Sequence, residues 1–320
     1  MTRALIPFVF CLLFQGQFLS AQRGSKTYWQ QQVDYNILVN VDVSTSKYSG
    51  SQKIIYTNNS PDTLSSVYFH LFYNAFIPGS EMDQHSRSLT DPDPRVIDKI
   101  SLLKKSDQGY LSVSNLSQDG VLVKNTVAGT ILEVTLNKAV EPGKKTTFEM
   151  TFSGQAPLMV RRAGKNSPEG VSLSMAQWFP KLAEYDYEGW HADPYIGREF
   201  YGVWGNFDVV INIDKNYTVG GTGYLESKTQ NPLNKKIKSW RFKAPNVHDF
   251  AWAADPDFIH DRRTMKNGTV LNFYYKKTLK QEYLENWKRL QPVTEDLMVF
   301  LNKKIGNYPY KQYSIIQGGD

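Results

Sequence analysis

Cysteine is nearly absent: Cys11 is the only one in 320 residues. It lies in an apolar N-terminal run that reads as a cleaved leader, so the mature chain is expected to carry no disulfide and no thiol chemistry. Histidine is sparse too, with His70, His85, His191, His248 and His260 scattered along the chain. None has a second histidine at helical spacing, which rules out an H-E-x-x-H zinc helix within these residues. No G-x-S-x-G elbow, phosphate-binding glycine loop or dinucleotide fingerprint occurs. After residue 21 no apolar run approaches membrane-spanning length. Lysines come in doublets at most, so a formal charge of +6 forms no stripe suited to nucleic acid. No catalytic centre assembles from these letters alone.

What is present is an ordinary globular composition, 41% apolar and 21% charged, in a chain long enough for one large or two smaller cores. Arg3, the apolar stretch Ala4 to Phe14 and the small-residue site Leu19-Ser20-Ala21 have the layout of a secretory signal over residues 1–21. The expectation is an exported protein, periplasmic or extracellular, with no transmembrane segment after cleavage. Loss of Arg3 lowers the formal charge from +6 by one, to +5.

From Val33 the pattern alternates, with Tyr35, Ile37, Val39, Val41 and Val43 on one face and Asp34, Asn36, Asn40 and Asp42 on the other, the signature of a half-buried strand. Further strands are predicted over Gln52 to Thr57, Val67 to Phe72, Val96 to Leu103, Gly120 to Val123, Thr130 to Leu136, Thr146 to Phe152, Phe207 to Ile213, Ile237 to Ala244 and Thr269 to Tyr275. Turn chemistry punctuates them, as at Glu141-Pro142-Gly143-Lys144, and Phe76 to Pro94 reads as loop. Near Leu279 the period changes. Tyr283, Leu284, Trp287, Leu290, Leu297, Phe300 and Leu301 follow helical spacing, Trp287 with Leu290 reading as helix core, with Pro292 restarting the helix and Gly306 ending it. Tyr313 to Gln317 reads as a last strand. The chain thus divides into a β domain, residues 22–278, and the opening helix, turn and strand of a second domain, 279–320, too short for a core of its own.

Ser174 to Ile213 concentrates Trp178, Trp190 and Trp204 with Glu184, Asp186, Glu188, His191, Asp193 and Glu199. Two readings of it stand: the rings anchor a long loop over the edge of a β domain, or they wall a cleft in which Gln177 and the carboxylates supply the polar contacts. The acids and His191 have irregular spacing for a divalent-metal site and read first as a solvated acidic loop. His70, between Phe69 and Leu71, reads as a hydrogen-bonded sheet residue rather than a ligand.

Three stretches occur in order: Met175-Ala176-Gln177-Trp178-Phe179-Pro180-Lys181 with Gly189-Trp190-His191-Ala192-Asp193-Pro194-Tyr195; Val247-His248-Asp249-Phe250-Ala251-Trp252-Ala253-Ala254-Asp255-Pro256-Asp257-Phe258; and Ile305-Gly306-Asn307-Tyr308-Pro309-Tyr310 leading to Gln317-Gly318-Gly319. Together they resemble the N-terminal region of the aminopeptidase N and leukotriene hydrolase family of zinc metallopeptidases, especially its exported Bacteroidetes-type branch. The resemblance covers nearly all of the mature chain. It implies a mainly β fold: a saddle-like antiparallel sheet or sandwich, followed by the start of a thermolysin-like α/β catalytic domain. The family's G-x-M-E-N and H-E-x-x-H motifs would follow Asp320, so the resemblance implies a fragment of a peptide-hydrolysing parent that holds zinc. No residue here is then a metal ligand or a catalytic base. Gln177 matches the family glutamine that lines the pocket for the substrate's first residue and amine. A neutral amide suits that place, accepting from an ammonium or donating to a carbonyl without the cost of desolvating a charge. The implied partners are peptide substrates and the parent's own C-terminal catalytic domain, not nucleic acid. From another class, a secreted non-catalytic β-sandwich binding or scaffold module remains the rival.

Overall fold

The alternating stretch from Val33 forms the strand Gln32–Asp42, which buries Val33, Tyr35, Ile37, Val39 and Val41 and turns Asn36, Asn40 and Asp42 to solvent. In this computed structural model, residues 28–197 and 200–318 are described; the expected leader, 1–21, and Glu199 lie outside them. Gln32–Asp42 sits inside an eight-stranded sheet. The order is Tyr224–Gln230, Ile237–Val247, Gly205–Asp214, Gln32–Asp42, Lys47–Thr57, Lys145–Gln155, Tyr110–Gln118 and Val121–Leu122. Every pairing is antiparallel except Gln32–Asp42 with Gly205–Asp214. That parallel contact needs a long crossover, here most of the intervening chain.

Two four-stranded sheets complete the layers. One contains Leu173–Met175 and Trp252–Asp255, the other Leu64–His70 and Ile131–Val140. Aromatic rings join the layers, as where Phe69 meets Phe148 edge-on at 5.9 Å and Tyr48 meets Trp178 at 6.2 Å. The architecture is mainly β, with several antiparallel sheets around one large apolar core.

Beyond it, Phe258–Thr264, Val270–Lys276 and Gln312–Ile316 form a three-stranded sheet, the last pair parallel across the helix Gln281–Lys304. Residues on both sides of position 278 therefore share one sheet and one small core, in which Trp287 stacks on Tyr275 at 4.9 Å. The three-stranded sheet is joined to the rest of the fold by charge. Asp255, with no solvent exposure, accepts from Lys276 Nζ at 3.0 Å and from the Ser172 amide and hydroxyl at 2.9 Å each.

Four expectations need correction. Val96 to Leu103 is no strand: Ile100–Leu102 is a helical turn. Val96, Ile100 and Leu103 are buried while Ile97 and Leu102 are exposed, a spacing of three to four rather than two. Phe76 to Pro94 is not all loop, because Ser80 caps the helix Glu81–Ser88 by accepting from the Asp83 amide. Pro292 does not restart the C-terminal helix, which runs through it. Only one backbone donor is lost there, and the Thr294 hydroxyl donates to the Leu290 carbonyl at 2.8 Å. Nor is Leu290 core beside Trp287: it is 38% exposed, Leu297 52% and Phe300 55%, while Met298 is buried, since a three-stranded sheet covers only a narrow stripe. No helix among the described residues is long and apolar enough to cross a membrane.

Candidate functional site

The strand Leu173–Met175 ends at a change of backbone hand, for Gln177 has φ of 59°. A non-glycine residue holds such a conformation only when its surroundings fix it. Trp178 is fully buried; its indole Nε1 donates to the Phe250 carbonyl at 3.1 Å, and its own carbonyl accepts from the Tyr48 hydroxyl at 2.7 Å. The Pro180 carbonyl accepts from Gln52 Nε2 at 2.8 Å, and the Leu182 amide donates to the Tyr35 hydroxyl at 2.9 Å. The segment after Gln177 is thus sewn into the main core. Trp178 is an anchor, Trp190 packs half-buried against Tyr185 and Tyr56, and Trp204, 39% exposed, lies against His248.

Gln177 is 5% exposed and turns its amide inward. Nε2 donates to Asp249 Oδ2, while Oε1 is buried with no hydrogen-bond partner among the described residues. The same Asp249 oxygen lies 3.3 Å from Nζ of Lys181, a lysine only 1% exposed. Lys181 fits because Gly202 passes beside it: a Cβ there would stand 2.7 Å from Nζ and 2.5 Å from Cε. Asp249 Oδ1 accepts from the next backbone amide, Phe250, at 2.8 Å. Gln177, Lys181 and Asp249 therefore form one small polar knot under an apolar surface. Sequence reasoning singled out the first and missed the other two. The signal available was a charged residue inside each of the two aromatic motifs.

Beside this knot lies a cavity of about 430 Å³ between the two parts of the fold. Met175, Ala176 and Trp252 form one wall, Tyr313, Ile316 and Gly318 the other. The walls meet closely, since a Cβ on Gly318 would sit 3.5 Å from Ser174 Oγ. The Lys311 amide donates to the Tyr224 hydroxyl at 3.0 Å, and the Gln312 amide group donates to the Gly223 carbonyl. Gln177 does not line this cavity; Ala176, its neighbour, does. A partly open cavity of mixed lining, with Arg162, Ser174, Thr222, Gln312 and Ser314 beside the apolar walls, can hold a small side chain or an extended main chain.

The acidic stretch lies apart on the hairpin Tyr185–Asp186 and Gly189–Trp190. Asp186, Glu188 and His191 bring one ligand atom each within 4.8 Å of one another; Glu184 and Asp193 are not in that group. Asp186 is already engaged, accepting from the Tyr201 hydroxyl at 3.0 Å and the Glu188 amide at 2.8 Å, with His191 Nε2 lying 2.9 Å away. Glu184 points inward at 6% exposure, and burial pushes its carboxyl up to about 7 against the hydrogen bond from the Tyr185 amide. His70 is the sheet residue expected: Nε2 donates to the His191 carbonyl at 3.1 Å, its ring stacks on Phe72, and burial lowers its pKa to about 4.

No family model and no curated protein matches the chain. Solved structures do, at the level of fold. A two-domain M1 zinc metallopeptidase mutant bound to L-tryptophan is 12% identical, with a TM-score of 0.56 over 90% of this chain and 57% of its own. The M1 zinc metallopeptidase from Deinococcus radiodurans, as a mutant bound to a Tyr-Ser-Ala substrate, gives 0.56 at 12% identity over 90% of this chain and 56% of its own. Another structure of the Deinococcus radiodurans enzyme gives 0.54 at 13%, with the same coverage. The chain spans a little over half the length of these enzymes, and its β sheets have the fold of their N-terminal region.

Proposed function

We propose that this chain is the N-terminal portion of an exported zinc aminopeptidase of the Bacteroidetes-type branch, releasing residues from the amino ends of peptides outside the cytoplasm. The observation that carries this is a juxtaposition. The fold brings the end of the Leu173–Met175 strand, with Ala176, and Trp252 to the end of the Gln312–Ile316 strand, with Gly318, around one cavity. All three stretches on which the family resemblance rests thus meet there. The exposed Leu297 and Phe300 face of the C-terminal helix supports a further domain packed upon it, the parent's own catalytic domain.

In such an enzyme bound zinc polarises the scissile carbonyl and lowers the pKa of its water. The residues described here do not fit that ion. Their one grouping of possible ligands, Asp186, Glu188 and His191, is a half-exposed hairpin whose Asp186 carboxylate is already engaged by the Glu188 amide, the Tyr201 hydroxyl and the neighbouring His191 ring. We assign no zinc ligand and no catalytic group to this chain. Its work is to wall the cavity, and the assignment of Gln177 to the substrate's amino end rests on the family resemblance, its neighbour Ala176 being the residue that reaches the wall.

The test uses the full-length gene product: metal content by elemental analysis and release of p-nitroaniline from L-aminoacyl p-nitroanilides. Stoichiometric zinc with chelator-sensitive hydrolysis supports the proposal. A metal-free protein inert to these substrates would sink it and turn attention to the module as a binding domain.

A further inference from the structure

We propose that the outer face of the eight-stranded sheet is a binding groove for an uncharged oligosaccharide, laid across the strands from Arg241 to Asn115. The inference is independent of the peptidase reading, because the groove shares no residue with the cavity between Met175 and Ile316.

The outward side chains of this sheet alternate with those of the core, and between them lies a groove of about 610 Å³. It crosses six adjacent strands, Ile237–Val247, Gly205–Asp214, Gln32–Asp42, Lys47–Thr57, Lys145–Gln155 and Tyr110–Gln118, so five spacings of about 4.8 Å give it a length of about 24 Å. Small side chains keep it open. Leu38 stands between Val210 and Ser51 in register, and Ser51 is opposite Thr151 on its other side. At the far end a bulge in Tyr110–Gln118 holds Asn115 at φ of 54°, where its Nδ2 donates to the Thr151 hydroxyl at 3.2 Å.

The lining selects a ligand by what it withholds. Four charged side chains line the groove and pair off within it: Arg241 donates to both Asp208 oxygens at 2.8 and 2.6 Å, and Lys53 Nζ lies 3.0 Å from Glu149. Their charges cancel, so the groove has no net charge with which to complement an ionic polymer. An extended peptide fares no better, because all six strands are interior to the sheet and offer no backbone edge for strand addition. No aromatic ring among the described residues lines the groove, which leaves a nucleobase nothing to stack on. What remains is neutral and amphipathic. Leu38, 41% exposed, and Val210 give an aliphatic floor, while the Asn36 amide and the Ser51 hydroxyl beside them can both donate and accept. One row along, Ser239 Oγ donates to Asn212 at 2.6 Å and Asn212 Nδ2 to Asn40 at 2.9 Å, a further line of uncharged groups. A pyranose matches both halves of this surface, with C–H groups on the faces of its ring and hydroxyls, each donor and acceptor, around its rim.

The test is titration calorimetry on the full-length protein, which reads binding and not hydrolysis. The probes are cellohexaose, maltohexaose, xylohexaose and mannohexaose, beside hexagalacturonate, hexalysine and the uncharged peptide (Gly-Ser)3 as controls. At least one uncharged hexasaccharide is expected to bind with a Kd of about 1 mM or tighter, and each control about tenfold more weakly or not at all. Ser51→Arg sets a long charged side chain on the floor, and Thr151→Arg does the same from the next strand. Both positions are exposed, so each variant should melt as the wild type does while weakening the sugar by about tenfold or more. Arg241→Met leaves Asp208 unpaired and should weaken the sugar while raising the affinity for hexalysine by about threefold. The proposal is overturned by a protein that binds none of the four hexasaccharides at about 1 mM, by a control bound as tightly as the best sugar, or by sugar binding that survives both arginine variants. A hexalysine affinity unmoved in Arg241→Met overturns it too, since charge pairing would then not decide what the groove accepts.

Discussion

Glu184→Gln should stabilise the protein above neutrality and leave it unchanged in acid. The Glu184 side chain is 6% exposed, and burial raises its pKa from 4.5 to about 7, with Asp186 adding to the rise while the Tyr185 amide, His191 and Lys181 oppose it. A carboxyl whose folded pKa lies above its unfolded value stabilises the fold fully only below about pH 4.5; the contribution is lost as pH rises through about 7. At about 1.4 kcal/mol per pKa unit, and allowing for partial screening, ionised Glu184 costs the native state about 2 to 3 kcal/mol at pH 8. Glutamine keeps the carbonyl that accepts from Tyr185 and carries no charge. Urea unfolding of wild type and variant across pH 4.5 to 8 measures the difference directly. The two should coincide at the acid end and diverge through pH 5 to 7, the variant ending about 2 to 3 kcal/mol more stable. His70 bends the wild-type curve the opposite way over part of this range, and taking the difference removes that effect. Parallel curves across the whole range would refute the reasoning, because Glu184 would then titrate alike folded and unfolded.

Four further outcomes follow from the same geometry. His70, neutral when folded with its pKa lowered to about 4 by burial and by Lys181, contributes stability that is full above pH 6.5 and lost as pH falls toward 4; His70→Gln should flatten that acid limb in the same titration. Asp255→Ala strands two Ser172 donors and leaves the Lys276 ammonium with the Gly170 carbonyl and the more distant Asp257, so a loss of about 2 to 4 kcal/mol is expected by chemical denaturation, and a loss under about 1 kcal/mol would show the bridge to be dispensable. Trp178→Phe empties part of the packed core and leaves the Phe250 carbonyl unpaired, costing about 2 to 4 kcal/mol in urea unfolding. Gly202→Ala drives a methyl to within 2.7 Å of Lys181 Nζ and should cost about 1 to 3 kcal/mol by thermal melting; combining it with Lys181→Ala should recover part of that loss, and an additive double variant would mean the clash lies elsewhere.

Alternation along Tyr35 to Val41 determined that strand's buried face, because a period of two leaves no other register once one side must be dry. Helical spacing after Leu279 likewise determined a helix, and Gly306, with φ of 144°, its end. The aromatic motifs carried the likeness to metallopeptidases, and the fold of that region appears in the structure. Sequence could not show that Val96, Ile100 and Leu103 turn as a helix rather than extend, since a short apolar run fits both periods until its neighbours choose. The strands Tyr224–Gln230 and Phe258–Thr264 were silent because an edge strand exposed on most of its length needs no apolar alternation. Local letters named Gln177, but that its amide faces Asp249, and that Asp249 lies against Lys181, was decided by residues 72 and 4 positions from Gln177 being brought together by the tertiary fold. Charge pairs and cavities belong to the tertiary structure: they depend on which distant segments become neighbours, and a strand's own periodicity says only which side it buries, not against whom.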